Sequence, residues 1–407
     1  MNNDAKSNEP KISNPLKNFL TVLSLSHFSQ HLYVSRSVLY TFILNSLGLN
    51  YTQIGFAVGG SHTLGGLLQM FFSIAGRFVP KKILLSLSNI SLSLALFCVG
   101  LSEKFLTFFS SQVVGEIGAA AIHPISVDLI STKYENKGVS TYIGLFYGLG
   151  YVGNIIGPLA LSYLALSYGW RYAFFISAII PILTAILIFL FLHEDRKLEK
   201  HQKHGVKGNV LLDLKSIIRE KKIIAMIVSQ AFLAGGTGQG VIATFIPLFL
   251  SNGLNLEQIH ASAIFSIAML GGVVGTIIFG KYANKIGYLR TTMFCTCIAS
   301  LSTFFLTLQE GYFVSLILNL IVLSLTTFPI TSLMQSSLSK ISTTNQRDLV
   351  LGLYLTVGFG VSSAWSTLIG YLIDLWGSFS PAWYVMSGLG LVALLFQFFA
   401  FNQMKEG

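Results

Sequence analysis

The residues able to do chemistry stand where an apolar chain should not hold them. Between Ser110 and Ser131 the sequence is long enough to cross a bilayer, since about 20 residues at 1.5 Å each span the hydrocarbon. Yet it contains Glu116, His123 and Asp128. A charge at the bilayer centre costs roughly 2.5–3.5 kcal/mol on insertion scales, so such groups normally face a bundle interior or a watery cavity. Steps of four and seven return to the same helix face, so Gln112, Glu116 and His123 share one stripe. Pro124 withholds a backbone N–H directly beside His123. A carboxyl group here is pulled one way by desolvation and the other by a nearby cation, which Arg36 or a protonated His123 would supply. A proton and a charged substrate can then compete for it.

The same reasoning gathers the other intramembrane ionisable groups. His27 and His31 are four apart on one face of the first apolar stretch, which also holds Gln30, Tyr33 and Arg36; His62 lies midway along the second. We assign proton coupling to Glu116, His123, Arg36 and His31. The substrate cavity is predicted to be lined by His27, Gln30, Tyr33, His62, Gln112, Gln239, Asn319 and Trp365. Histidines at this spacing also suit a metal ion, but imidazole spacing alone selects no metal. The reading carried forward is a proton relay or a hydrogen-bonded core pair, with no metal and no cofactor. A structural pair, in which Glu116 only neutralises Arg36, is the alternative for those two residues. No nucleophile, phosphate loop or cofactor motif has a supporting context, so no enzyme is expected.

These residues need long helices to position them. The chain has 407 residues, 53% hydrophobic and only 10% charged, whereas a soluble domain carries about a quarter charged residues. An all-α membrane protein is implied, and hydropathy gives twelve candidate spans with both termini on one side. That places an N-terminal six-helix lobe at 17–192 and a C-terminal one at 223–402. A basic linker lies at 193–222, with tails at 1–16 and 403–407. All but Arg36, Lys104 and Arg171 of the 26 lysines and arginines fall on the side of the termini. By the positive-inside rule that side is cytoplasmic, and the membrane is the inner (plasma) membrane. The net charge of +10 therefore faces lipid headgroups, and nucleic acid is not a partner. Within the linker Val210, Leu211, Leu214, Ile217 and Ile218 have helical spacing and suggest an amphipathic surface helix. The run from Gly235 to Gly240 lies inside an apolar span and reads as a helix break. Cys98, Cys295 and Cys297 lie in apolar segments, where neither disulfides nor a thiolate metal site is expected.

The two lobes repeat. Leu49, Asn50, Gln53 and Ile54 reappear as Leu254, Asn255, Gln258 and Ile259, and Gly144, Gly150, Tyr163 and Gly169 as Gly352, Gly358, Tyr371 and Gly377. Six spans per lobe give both the same orientation, a parallel repeat with the substrate site expected between them near the midplane.

Several motifs carry a resemblance. The loop Gly280-Lys-Tyr-Ala-Asn284-Lys285-Ile-Gly287 and its counterpart from Gly76-Arg77 to Lys82 resemble the paired loop signature of the major facilitator superfamily, as does Gly169-Trp170-Arg171 with Phe174-Phe175. Asn284 and Gly76 stand where an aspartate is common. The resemblance implies a cytoplasmic latch at Arg77, Gly280, Asn284, Lys285 and Gly287. Gly153, Gly157 and Pro158 resemble the span-5 motif of the family's antiporters, and a glycine packing seam explains the same residues. Ser24-Leu25-Ser26-His27, Gln53-Ile54-Gly55 and His123-Pro124 are similar to the fosmidomycin-resistance, drug-efflux branch. That branch commonly has an acidic residue where this chain has His31. The resemblance implies a monomeric, proton-coupled exporter of small organic molecules working by alternating access. A proton symporter importing a nutrient or organic anion, or a non-transporting receptor on the same fold, are the alternatives.

Overall fold

The computed structural model describes residues 14–76, 78–134, 139–192, 210–309, 313–343 and 346–405, and every regular element among them is helical. In the first half these are α1 (Asn14–Val34), α2 (Tyr40–Leu47), α3 (Tyr51–Ala75), α4 (Lys81–Gly100), α5 (Phe105–Lys133), α6 (Val139–Tyr168), α7 (Trp170–Ser177) and α8 (Ile179–Phe191). The second half holds α9 (Val210–Arg219), α10 (Lys221–Gly236), α11 (Gln239–Leu248), α12 (Gln258–Ile286) and α13 (Tyr288–Phe305). It ends with α14 (Phe313–Ile341), α15 (Arg347–Gly360), α16 (Ser362–Trp376) and α17 (Ser380–Lys405). Ten helical segments among the described residues are long and apolar enough to cross a membrane, with α7–α8, α10–α11 and α15–α16 each counting as one. Neither α1 nor α3 is among the ten. Their Gln30, His27, His31, Gln53, His62 and Gln69 dilute the hydropathy of two otherwise apolar helices.

The first apolar stretch is not one continuous helix, because the structure breaks it at the arginine. A 3-10 turn covers Ser35–Leu39 between α1 and α2. There Arg36 Nη1 donates to the Tyr33 carbonyl at 2.9 Å and Ser35 Oγ to the His31 carbonyl at 2.9 Å. Side chains thus take carbonyls from the helix ladder, a usual cause of a local break. The glycine run gives the predicted break, since α10 stops at Gly236 and α11 starts at Gln239. By contrast α5 continues through Pro124.

In the first half α1 packs on α6, α3 on α5, and α4 on α5 and α8; in the second, α10 packs on α17 and α14 on α12 and α13. The halves meet where α3 lies on α16 and α6 on α12. Gly55 and Gly59 make the first contact possible, because a Cβ at either would strike the backbone of Ser366 or of Ser362 and Ser363. The surface is apolar, with Leu183, Phe189, Leu395 and Phe398 exposed, while His27, Arg36, Gln112, Glu116 and Gln397 are buried. This inverts the soluble pattern and suits a chain solvated by hydrocarbon.

Hydrogen bonds joining the halves gather at the end of the bundle where α3 begins and α16 finishes. Asp374 accepts from the Tyr51 and Thr52 amides at 3.0 and 2.8 Å and from Thr52 Oγ1. Asn252 Nδ2 donates to the Tyr51 hydroxyl at 3.0 Å. Gln258 Nε2 donates to the Val38 carbonyl at 2.7 Å and to Ser162 Oγ at 2.9 Å.

Candidate functional site

Between the halves lies a cavity of about 280 Å³. Its first-half wall carries Gln30, His31, Arg36, His62, Gln69, Glu116, His123 and Asn154; the facing wall is Gln239 with Phe265, Met269, Phe328 and Phe359. Seven of the residues predicted for proton coupling or substrate binding therefore line one space: Gln30, His31, Arg36, His62, Glu116, His123 and Gln239. The cavity is asymmetric, because its ionisable groups come from the first half and its apolar wall from the second.

The α5 stripe serves two clusters rather than one. In the N-terminal part of α5's stripe the break after α1 turns Arg36 inward, where it is 2% exposed. Its Nε donates to Gln112 Oε1 at 2.7 Å and its Nη2 to Glu116 Oε1 at 3.4 Å. The guanidinium lies 3.6 Å over the Tyr33 ring, whose hydroxyl donates to the Gln112 carbonyl at 3.2 Å. His62 Nε2 reaches within 3.6 Å of the same Glu116 oxygen. Glu116 is thus approached by one permanent cation and one titratable group, and it borders the cavity. Tyr33 and Gln112 support the cluster from behind and are not on the cavity wall.

Two turns further along, His123 joins the second cluster. Its ring meets that of His27 edge-on at 4.9 Å between centroids and stacks on Tyr147 at 5.6 Å. His27 Nε2 and His31 Nε2 lie 2.9 Å apart, His27 Nδ1 is 3.1 Å from the Phe146 carbonyl, and His31 Nδ1 is 2.9 Å from Asn154 Oδ1. His27 is fully buried. Gly150 lets the His27 imidazole press into α6, where a Cβ would collide with the ring, and Gly153 lets α1 approach, where a Cβ would strike the Phe28 carbonyl and His31 Cβ. Among the described residues no three His, Cys, Asp or Glu side chains are placed to hold a metal ion.

Other predicted positions lie elsewhere. Asn319 Nδ2 donates to the Ser302 carbonyl at 2.9 Å between α14 and α13, and Trp365 Nε1 donates to the Ala231 carbonyl at 2.6 Å. Neither lines the cavity. In the latch loop Asn284 accepts from the Tyr288 hydroxyl at 2.7 Å and Gly287 has φ +100°, with Gly280 and Lys285 on the same helix, α12. Arg77 lies outside the described residues. Asp128 is held by Lys81 Nζ at 2.6 Å. On the α6 seam Gly157 faces Ser35, and Pro158 is carried within the helix.

Sequence reasoning missed Asn154 and Asp374. Asn154 sits inside the glycine motif as a polar residue at mid-span, and Asp374 is an acid close to the end of a span. Both signals were available.

Comparison with known proteins agrees with this architecture. The Major Facilitator Superfamily profile matches residues 32–367 and 237–406. Multidrug resistance protein 2 of Bacillus subtilis is 29% identical over 256 residues, covering 60% of this chain and 62% of that protein. A cis,cis-muconate transport protein of Acinetobacter baylyi is 26% identical over 251 residues, 58% of this chain and 56% of its own length. The chain thus spans roughly three fifths of these relatives. A crystal structure of a mutant of the nucleoside transporter NupG superposes with a TM-score of 0.82 at 14% identity, covering 94% of this chain and 100% of that one. A bacterial homologue of the lysosomal transporter Spinster, inward-facing and unoccupied, gives 0.75 at 16% identity over 98% of both chains. At such identities the likeness shows the fold. Profile, fold and the cavity between halves agree: the chain belongs to the major facilitator superfamily.

Proposed function

We propose that this protein is a secondary active transporter that exports small organic molecules in exchange for protons by alternating access. The observation that carries the reading is the cavity between the halves, with Glu116 on its wall between Arg36 and His62 and an aromatic surface opposite. A carboxylate in that position can hold a proton, a permanent cation or a charged group of the cargo, but not all at once. Its volume suits a single small molecule. Similarity to multidrug resistance proteins favours export.

In this reading twelve spans form two six-helix lobes, 17–192 and 223–402, related by a parallel repeat and joined by the linker 193–222. The short tails at 1–16 and 403–407 are cytoplasmic, and the protein works as a monomer in the inner membrane. Glu116, His123, Arg36 and His31 handle the proton. The contacts of Asp374 and Gln258 then close the outer face, leaving the cavity to communicate with the cytoplasmic side.

The second reading is proton-driven import. It draws on the resemblance to a muconate transport protein and on a fold shared with a D-xylose–proton symporter (TM-score 0.76, 14% identity). Flux in proteoliposomes under an imposed pH gradient separates the two. Cargo moving against the proton flow supports export, and cargo moving with it supports import. Absence of both cargo flux and proton movement across a broad panel overturns the transporter reading.

A further inference from the structure

We infer that His27 and His31 form one shared proton site whose occupancy is locked to the orientation of the Asn154 amide on α6. The inference deepens the proton-coupled reading and moves the proton carrier from single residues to a pair. It starts from hydrogen-bond bookkeeping. The Phe146 carbonyl can only accept, so the 3.1 Å contact places a hydrogen on His27 Nδ1. Asn154 Oδ1 likewise only accepts, so the 2.9 Å contact places a hydrogen on His31 Nδ1. A neutral imidazole with its hydrogen on Nδ1 has a bare lone pair on Nε2. The two Nε2 atoms nevertheless face each other at 2.9 Å, a hydrogen-bond distance at which two lone pairs repel.

Two arrangements resolve this. In the first a proton from water in the cavity forms an N–H bond at one Nε2 and is shared with the other, so the pair carries one positive charge. In the second the pair stays neutral and the Asn154 amide turns end for end. Its NH2 group then donates to His31 Nδ1, and the His31 hydrogen moves to Nε2 to bond His27. Loading and unloading a proton therefore requires the amide to turn.

The surroundings allow this exchange. His31 and Asn154 both line the cavity, so water reaches the pair from there. The titratable groups facing the pair are His123 from α5 and Tyr147 and Tyr151 from α6. The helices on the other side contribute neutral groups, Asn89 bonded to Ser26 and Thr184 bonded to Ser29. Neither imidazole has an ion-pair partner among the described residues. Further along the same helix as Asn154, Ser162 bonds Ser262 and Gln258 on α12 of the other half. Proton occupancy is thus registered by the helix that also closes the two halves.

The test uses the full-length chain, labelled with 15N in the histidine rings, purified in detergent and titrated between pH 5 and 8 without any cargo. His27 and His31, assigned from His27→Gln and His31→Gln, are expected to change together in one step. Asn154→Asp places a charge beside the pair and should move that step up by about one pH unit or more, while Asn154→Leu should split it. Two independent steps in the wild type, or a step that neither Asn154 variant moves, would overturn the pair. A parallel assay follows ethidium in proteoliposomes under a pH gradient, where His31→Gln should lose about tenfold or more of the proton-driven rate. If the wild type moves neither ethidium nor any other cargo of a broad panel but keeps the linked, Asn154-dependent step, the pair stands and the efflux reading fails.

Discussion

Gln53 and Gln258 occupy the same place in the sequence repeat and do different work. Gln53 stays local: its side chain accepts from the Asn50 amide at 3.1 Å while its own amide donates to Asn50 Oδ1 at 2.8 Å, a capping box at the start of α3. Gln258 reaches across to Val38 and Ser162 of the other half. The cavity shows the same divergence on a larger scale. The first half supplies Arg36, Glu116 and the histidines, whereas the deep polar contacts of the second are neutral, such as Gln397 donating to Ser229 and Thr296. The two halves of the chain divide the chemistry between them.

If chemistry belongs to the first half and shape to the second, substitutions should fall into graded classes. The largest effect is expected from Arg36→Met, which leaves Glu116 buried without its cation; breaking a buried pair costs roughly 3–5 kcal/mol. Thermal unfolding in detergent checks it, and adding Glu116→Leu to the same chain should recover most of the loss. A melting temperature unchanged by Arg36→Met alone would break the comparison. Next, Glu116→Gln should keep the fold but lower proton-driven flux about a hundredfold, the upper range for coupled sites. Full proton-driven flux in vesicles containing that variant would return Glu116 to a purely structural role. Asp374→Asn weakens a contact at an exposed helix start and should shift the balance toward the far-end-open form about fivefold. Alkylation of a single cysteine introduced at Ser251 reads the shift; equal labelling in both chains would show that the far end is held by Gln258 instead. The smallest change is expected from Asn319→Ala, within about threefold of the parent flux, because its partner is a carbonyl of its own half.

Much of this was legible in the sequence because intramembrane charge is expensive and therefore conspicuous. His31, Arg36, His62, Glu116 and His123 were singled out by that cost, and they share a cavity wall. What periodicity could not tell was direction. A single stripe on α5 looked like one face, but the break at Ser35–Leu39 brings Arg36 to Gln112 and Glu116, while α6 brings Tyr147 and His27 to His123. Trp365 was expected to line the cavity, yet its indole N–H is committed to the Ala231 carbonyl. Asn154 and Asp374 were visible as polar residues in or near a span, but their partners, His31 and the start of α3, lie on other helices, which no local pattern reveals.

The start of α3 has a consequence for biosynthesis. Its first-turn amides are divided between a neighbour and a distant residue: Asn50 takes Gln53, and Asp374 takes Tyr51 and Thr52. A ribosome delivers Asn50 with the helix itself but Asp374 some three hundred residues later. Until then α3 must enter the bilayer with two donors served by water or headgroups. The final closure of the bundle therefore waits on the emergence of α16, and a nascent chain truncated before it would lack that seal.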